Sequence, residues 1–537
     1  YGGAGDDRIT AIAQGPGTAQ FVCGTFSGTM FYPGGSVAAE GITDVFVACV
    51  DTGGVIQWMR TGGGPGPDRA TDIAVDAQGR VSVTGQYSGT MQIAGSSLSS
   101  NGPSQDLFVA RFAADGTGLW ARSAGSPQNA DIGQRVAVDA AGNTWVAGAF
   151  SHTAVFGGTI LSSTIDPVQQ APGIDVFLAK YDAAGNLLWA RSATCEREEE
   201  ALGLAVDDEG NSWLAGRFSQ QITFDVPHAN NASNAAFLVK CDASGAEQAF
   251  ARISGGTSVL VGDLCWHNDT LWMVGSQTGN NLVFAGSTVP IASAYAHSAF
   301  VLAFGPQAQL QAQRTVGNAA GIRGDAIHVR GGEVVVGGGF TCQADELSAW
   351  AGGNGLFLSW GAENVWVALL RRTDLATTHA QMLADHASMQ LRGLLLDTAA
   401  RVIAAGEYAQ QLYLPSQEGL MRALPGDSLV QVGVGSVVEA CGDTTYYDAV
   451  RINARGALDG FLARGIIRAR KPLHIFQRDG CEKDLAFAFG ITPVNQAECD
   501  AADLDLAFCG NGDLVASFNY LLGPAYTVGW NTGVTGA

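Results

Sequence analysis

The residues able to carry acid–base or metal chemistry are few and spread out. Eight histidines stand at His152, His228, His267, His297, His328, His379, His386 and His474. No two form an H-E-x-x-H text, and no Walker A run or G-x-S-x-G elbow is present. Aspartates recur at Asp76, Asp139, Asp182 and Asp207. Even the richest, Asp207, has only Asp208 and Glu209 close in sequence, whereas calcium takes six to eight oxygens. Each of these aspartates opens a D-x-x-G text, where a short acidic side chain caps a turn. Glu196, Glu198, Glu199 and Glu200, interrupted by Arg197, read as a solvated charged loop, with contact to a cation or basic partner as the sharper alternative. The expectation is therefore no catalytic residue, no metal and no cofactor.

Thiols form a second set. None of the ten cysteines makes a C-x-x-C pair, which removes zinc-ribbon and thioredoxin-like chemistry. Cys23 and Cys49 fall near the ends of neighbouring strands of the first repeat and form one candidate disulfide, with Cys481 and Cys499 a second, local one. An even count so placed suits an oxidising compartment. The alternative is that several are small buried hydrophobes.

Fifty acids against 29 Lys and Arg give a net charge of -21, a field that repels phosphate backbones and argues against nucleic-acid binding. No apolar run is long enough to cross a bilayer, since even 356–370 is broken by Gly361, Glu363 and Asn364. The chain opens without a basic and apolar leader, so export would involve a signal peptide already removed. Glycine, at 72 residues and without a collagen period, points to many tight turns between short strands.

Those strands follow from a repeated text. Asp106-Leu-Phe-Val-Ala-Arg-Phe, Asp115-Gly and Leu119-Trp-Ala-Arg122 recur as Asp175-Val-Phe-Leu-Ala-Lys-Tyr, Gly185-Asn and Leu188-Trp-Ala-Arg191. The marker aromatics Phe46, Phe108, Phe177, Phe237, Phe300, Trp366 and Phe461 are spaced by 62, 69, 60, 63, 66 and 95 residues. A second phrase precedes each marker, as in Ile73-Ala-Val-Asp76 with Val81-Ser-Val-Thr-Gly85, and again in Leu204-Ala-Val-Asp207 with Trp213-Leu-Ala-Gly216. An eighth copy, 506–518, has no marker phrase after it. Each phrase alternates as a β-hairpin, giving four strands per unit. Solenoid repeats would be shorter, and a sandwich would not repeat its text seven times. The expectation is an all-β propeller, spanning 1–537, of seven complete four-stranded repeats plus a C-terminal half repeat, in seven or eight blades. Trp58, Trp120 and Trp189 read as blade-to-blade packing. The 95-residue spacing marks an insertion at 409–458, and 477–537 is read as the closing half repeat, packed near 9–24.

The texts DVFLAKYDAAGNLLWARSA and LAVDDEGNSWLAGRFS resemble the bacterial SBBP family of propeller repeats, strongly over 1 to about 255 and in degraded form over 256–537. The resemblance implies an exported bacterial protein, extracellular or on the cell surface, and is nearly silent about activity.

The functional expectation is a non-enzymatic structural or interaction protein that offers a rigid platform to a protein partner or surface assembly. A glycan-binding or glycan-degrading propeller, with its site at the axial mouth, is the alternative. Tyr413, Tyr446 and Tyr447 in the insertion are the candidate partner contacts, because loops on rigid scaffolds commonly carry binding and tyrosine offers area at little entropy.

Overall fold

In a computed structural model, the structure describes most of residues 2–341 and 363–409, apart from short breaks. Beyond 410 it describes the backbone of 411–415, 430–438, 444–453, 459–464, 475–478, 504–508 and 514–518. Every regular element among the described residues is a β-strand.

Six blades of four antiparallel strands follow one another along the chain. The first is built from Asp7–Gln14, Gln20–Phe26, Asp44–Val50 and Ile56–Gly62, and the sixth from Ala326–Arg330, Glu333–Phe340, Asn364–Arg371 and Thr377–Leu383. The second and third strands carry continuous apolar runs, such as Asp106-Leu-Phe-Val-Ala-Arg-Phe, because both faces of a central strand lie between blades. The first strand of each blade touches the first strand of the next. A three-stranded sheet of Met389–Leu396, Val402–Tyr408 and Asp459–Arg464 follows the sixth blade. Its first strand packs against both Ala326–Arg330 and Asp7–Gln14, so the circuit of inner strands closes there. The propeller expected from the repeats is thus present, with six complete four-stranded units among the described residues rather than seven. The hairpin of Leu504–Phe508 with Leu514–Phe518 is formed, but most of 477–537 lies outside the described residues.

Adjacent blades are held by a repeated clasp. Trp58 donates from Nε1 to the Ala114 carbonyl at 2.8 Å, Trp120 to that of Ala183 at 3.1 Å, and Trp189 to that of Ala243 at 3.1 Å. Each indole lies on the turn glycine of the following blade: Gly116, Gly185 and Gly245, all at φ near +80°. A Cβ there would stand 2.6, 2.5 and 2.9 Å from the ring, so the position needs glycine for both its backbone and its space. Asp76, Asp139, Asp182 and Asp207 each accept backbone N–H bonds within their own turns, as their sequence position suggests. Three of them also hold a cation of the third strand: Arg111 on Asp76 at 2.6 Å, Lys180 on Asp139 at 3.4 Å and Lys240 on Asp207 at 3.1 Å.

A further hairpin lies between the second and third strands of most units. Thr90–Ile93 pairs with Ser96–Ser99, Thr153–Phe156 with Thr159–Ser162, and Asn281–Phe284 with Ser287–Pro290. Each leans back onto the outermost strand of the preceding blade, as where Ala124 and Gly125 pair with Phe156 and Val155. The insertion at 409–458 occupies the same slot. Its described strands form sheet: Gln411–Pro415 and Val430–Val438 both pair with Thr444–Asn453.

Candidate functional site

Near the axis, where the glycan alternative would put its site, the first strands bring together three half-buried charged residues, Asp72, Arg135 and Asp263. Asp72 and Asp263 both follow irregularities in first strands, where the register slips between Ala70 and Asp72 and between Val261 and Asp263. Arg135 reaches from the third blade to the Gly262 carbonyl of the fifth, 3.4 Å away, and its charge acts on both carboxylates. Asp72 accepts from the Val136 amide at 2.8 Å, and Asp263 from the Ile327 amide at 3.2 Å. Burial pushes the carboxyls up, Asp263 to about 7, while Arg135 draws them down. The two acids thus accept from backbone amides of the neighbouring blade and feel the Arg135 guanidinium, contacts that link the second, third, fifth and sixth blades.

A cavity of about 250 Å³ opens between the fifth and sixth blades. Ser258, Gln277, His297, Arg323 and Glu363 line its polar side, with Leu260, Ile322 and Phe340 on the other. Arg323 is neutralised from two directions, by Asp325 at 3.2 Å and Glu363 at 2.6 Å, so the cavity offers no net cation to an anionic ligand.

The sequence candidates fall in three places. Cys23 and Cys49 are both buried and are free thiols, so the expected bond between them is not formed. The register explains why: Cys49 lies opposite Phe21, and Cys23 opposite Val47, making the thiols diagonal neighbours. Diagonal Cβ atoms lie roughly 7 Å apart, beyond the ~4 Å a disulfide spans. Burial pushes the Cys23 thiol up to about 12, and both cysteines pack as core hydrophobes. Cys481 and Cys499 lie outside the described residues. Tyr413 sits opposite Arg451, while Tyr446 and Tyr447 sit opposite Ser436 and Gly435 on one side and Phe476 and Ile475 on the other.

Two groupings escaped the sequence reading. Burial drives His328 down to about 4, with Arg330 and His267 adding to the effect, and its Nδ1 accepts from the Leu396 amide at 3.1 Å. Glu199, read as part of a solvated loop, is 4% exposed and accepts from the Val176 amide at 3.1 Å. The signal was available: Glu199 stands where the second and third repeats have Asp68 and Asp131.

No protein-family profile matches the chain. A WD repeat-containing protein of Acanthamoeba polyphaga mimivirus, L264, described as uncharacterized, is 28% identical over 158 residues, covering 28% of this chain and 11% of that protein. The chain therefore spans about a tenth of that relative's length. Among solved structures, a Bacteroides caccae protein of unknown function aligns over 61% of this chain and 86% of its own, at 10% identity and a TM-score of 0.30. Pyrococcus horikoshii acylaminoacyl peptidase aligns over 71% and 57%, at 10% identity and a TM-score of 0.30. The extracellular domain of a putative hybrid two-component system of B. thetaiotaomicron aligns over 96% and 75%, at 7% identity and a TM-score of 0.18. Fold, tandem text and the WD-repeat relative make this a β-propeller repeat protein.

Proposed function

We propose that the chain is a non-enzymatic platform for protein partners, acting outside the cell or at its surface, with the three-stranded sheet as a seventh blade. The observation that carries this reading is the Arg135 bridge from the third blade to the fifth, beside two carboxylates that accept backbone amides of their neighbouring blades. The WD-repeat relative and the repeated text favour a repeat scaffold, and the SBBP resemblance favours export. Partner contact is assigned to the insertion of the last unit, through Tyr413, Tyr446 and Tyr447. Because the insertion's described strands form sheet, deleting Ser416–Ala449 would remove one strand and half of another. Triple substitution of the tyrosines by serine is the cleaner test. Attachment to the producing cell's surface fraction should fall at least tenfold while circular dichroism and melting stay unchanged. Full attachment of the folded triple variant would remove the assignment, and glycosidase activity abolished by Asp263→Asn in a variant that still folds would remove the non-enzymatic reading.

A further inference from the structure

Buried carboxylates recur where one blade meets the next, away from the axis and the cavity. Asp44, Asp106 and Asp175 each stand two residues before their unit's marker phenylalanine, and Asp68, Asp131 and Glu199 stand at the entry to the first strand of the following unit. Across each junction the two acids act on one another: Asp44 on Asp68, Asp131 on Asp106, and Asp175 on Glu199. None of the six is more than 4% exposed.

The register shows that these pairs are kept or lost as units. Across the next three junctions the same two positions hold Ala235 with Val259, Ser298 with Ile322, and Asn364 with Met389. At the junction where the circuit closes, they hold Asp459 with Asp7. Every junction has both acids or neither. Pairing the acids within a blade gives no such rule, since Glu199 would then partner Ala235 and Met389 would partner Asp459. The two carboxyls across a junction therefore depend on each other.

What they lack, among the described residues, is a counter-charge. Glu40 faces Asp44, and the Tyr87 ring faces both Asp68 and Asp106. The remaining charges acting on the six acids are the acids themselves. Backbone amides satisfy some oxygens: Gly64 and Ser88 donate to Asp68, Ser126 and Ser151 to Asp131, Glu40 to Asp44, Asn101 to Asp106, Thr164 to Asp175 and Val176 to Glu199. One oxygen each of Asp44, Asp106, Asp175 and Glu199 remains buried without a hydrogen-bond partner. An ionised carboxylate cannot donate to another, so an oxygen turned to its partner acid stays unpaired until one of the two is protonated.

We propose that each of these three junctions holds one proton shared between its two carboxyls, so that blades are joined by a carboxyl–carboxylate hydrogen bond that opens as pH rises. A metal ion is the weaker occupant. No group of three or more His, Cys, Asp or Glu suited to a metal exists among the described residues, and calcium needs six to eight oxygens. Burial raises Asp68 to about 7 and Asp106, Asp131 and Asp175 to about 6, consistent with a proton retained near neutrality. Since folded values lie above unfolded ones, the contribution is full below the ordinary carboxyl range and is lost as pH rises through about 6 to 7.

The test compares the protein with a D44N/D106N/D175N variant, in which an amide N–H donates where the acid O–H would. The melting temperature of the wild type should fall between about pH 6 and about pH 8, and that of the variant should fall by less than half as much. Infrared spectra near pH 6 should show a carboxylic-acid carbonyl band that is weaker in the variant, Asp263 contributing equally to both proteins. If the triple variant fails to fold, Asp106→Asn alone carries the same readouts. A wild-type melting temperature that is flat or rising over this window, or an acid band of equal strength in wild type and variant, would overturn the proposal. So would calcium or magnesium ions raising the melting temperature of the wild type but not of the variant, which would put a cation in the proton's place.

Discussion

The first three blade junctions and the next three solve the same packing problem with different chemistry. In the first set, Trp58, Trp120 and Trp189 each reach over a turn glycine and donate to a carbonyl of the following blade, beside a buried acid pair. In the second set, the clasp position holds Ala249, Ala312 and His379, and the acid positions hold neutral residues. Cations take the indole's part there: Lys240 donates to the Pro306 carbonyl at 3.1 Å, Arg314 to that of Leu375, and Arg330 to that of Leu396 at 3.3 Å, while apolar clusters span the junctions of both sets. Polar bonds demand specific residues at specific positions, so the early repeats keep a legible text. A long flexible cation can reach a carbonyl from more than one position, and apolar packing asks only for volume and shape, so the later repeats drift while the strands persist.

The sharpest way to break this comparison is at the clasp. Trp120→Ala should cost about 3–5 kcal/mol, as large aromatic truncations do, read from urea denaturation. Ala249→Ser at the equivalent place in the fourth blade should stay within about 0.5 kcal/mol. Equal effects would mean that the two sets of junctions are held alike. Lys180→Met removes the ammonium 4.2 Å from the Trp145 ring centroid and leaves the buried Asp139 without its cation, and should cost about 3 kcal/mol. Gly185→Ala tests the Trp120 clasp from the other side, and should cost about 1–3 kcal/mol because it combines a positive φ with a Cβ against the Trp120 ring. Relief of that loss by Trp120→Ala would confirm that the ring is the obstacle.

The smallest effect is one of direction. His328 has its pKa lowered to about 4 by burial, so the unfolded chain binds its proton first. Its contribution to stability is present above the ordinary histidine range and is lost as pH falls towards 4. The junction acids, raised to about 6 or 7, behave in the opposite sense. Hydrogen exchange should therefore show Ala326–Arg330 less protected at about pH 5 than at about pH 7, and Arg69–Val75 more protected, once intrinsic rates are corrected. Parallel shifts in the two strands would erase the distinction.

The sequence disclosed the propeller because each repeat carries turn aspartates and glycines whose backbone demands are local. It also disclosed the tryptophan packing, since one indole recurs at one position. The hairpins between second and third strands were missed. A unit of about 60 residues is long for four short strands, and the surplus was hidden in brief texts such as Thr90-Met-Gln-Ile and Thr153-Ala-Val-Phe. The junction acids were unreadable for a different reason. Asp44 and Asp68 are partners only through the angle between blades, and no local pattern encodes that. Cys23 and Cys49 erred the other way: nearness in a hairpin was read as contact, and the register put them on a diagonal.

The hairpins have a consequence for how such a chain can be cut and grown. Thr153–Ser162 is written in the third unit, yet it extends the sheet of the second. The stretch of gene that repeats and the body of strands that holds together are thus out of phase by part of a unit. Excising one copy of the text would strip the preceding sheet of its outer edge and leave an orphan hairpin elsewhere. A duplication that preserves every hydrogen bond must begin inside one blade and end inside the next. Lengthening or shortening the ring is therefore an exchange of overlapping pieces, which ties the fate of each blade to its neighbour upstream.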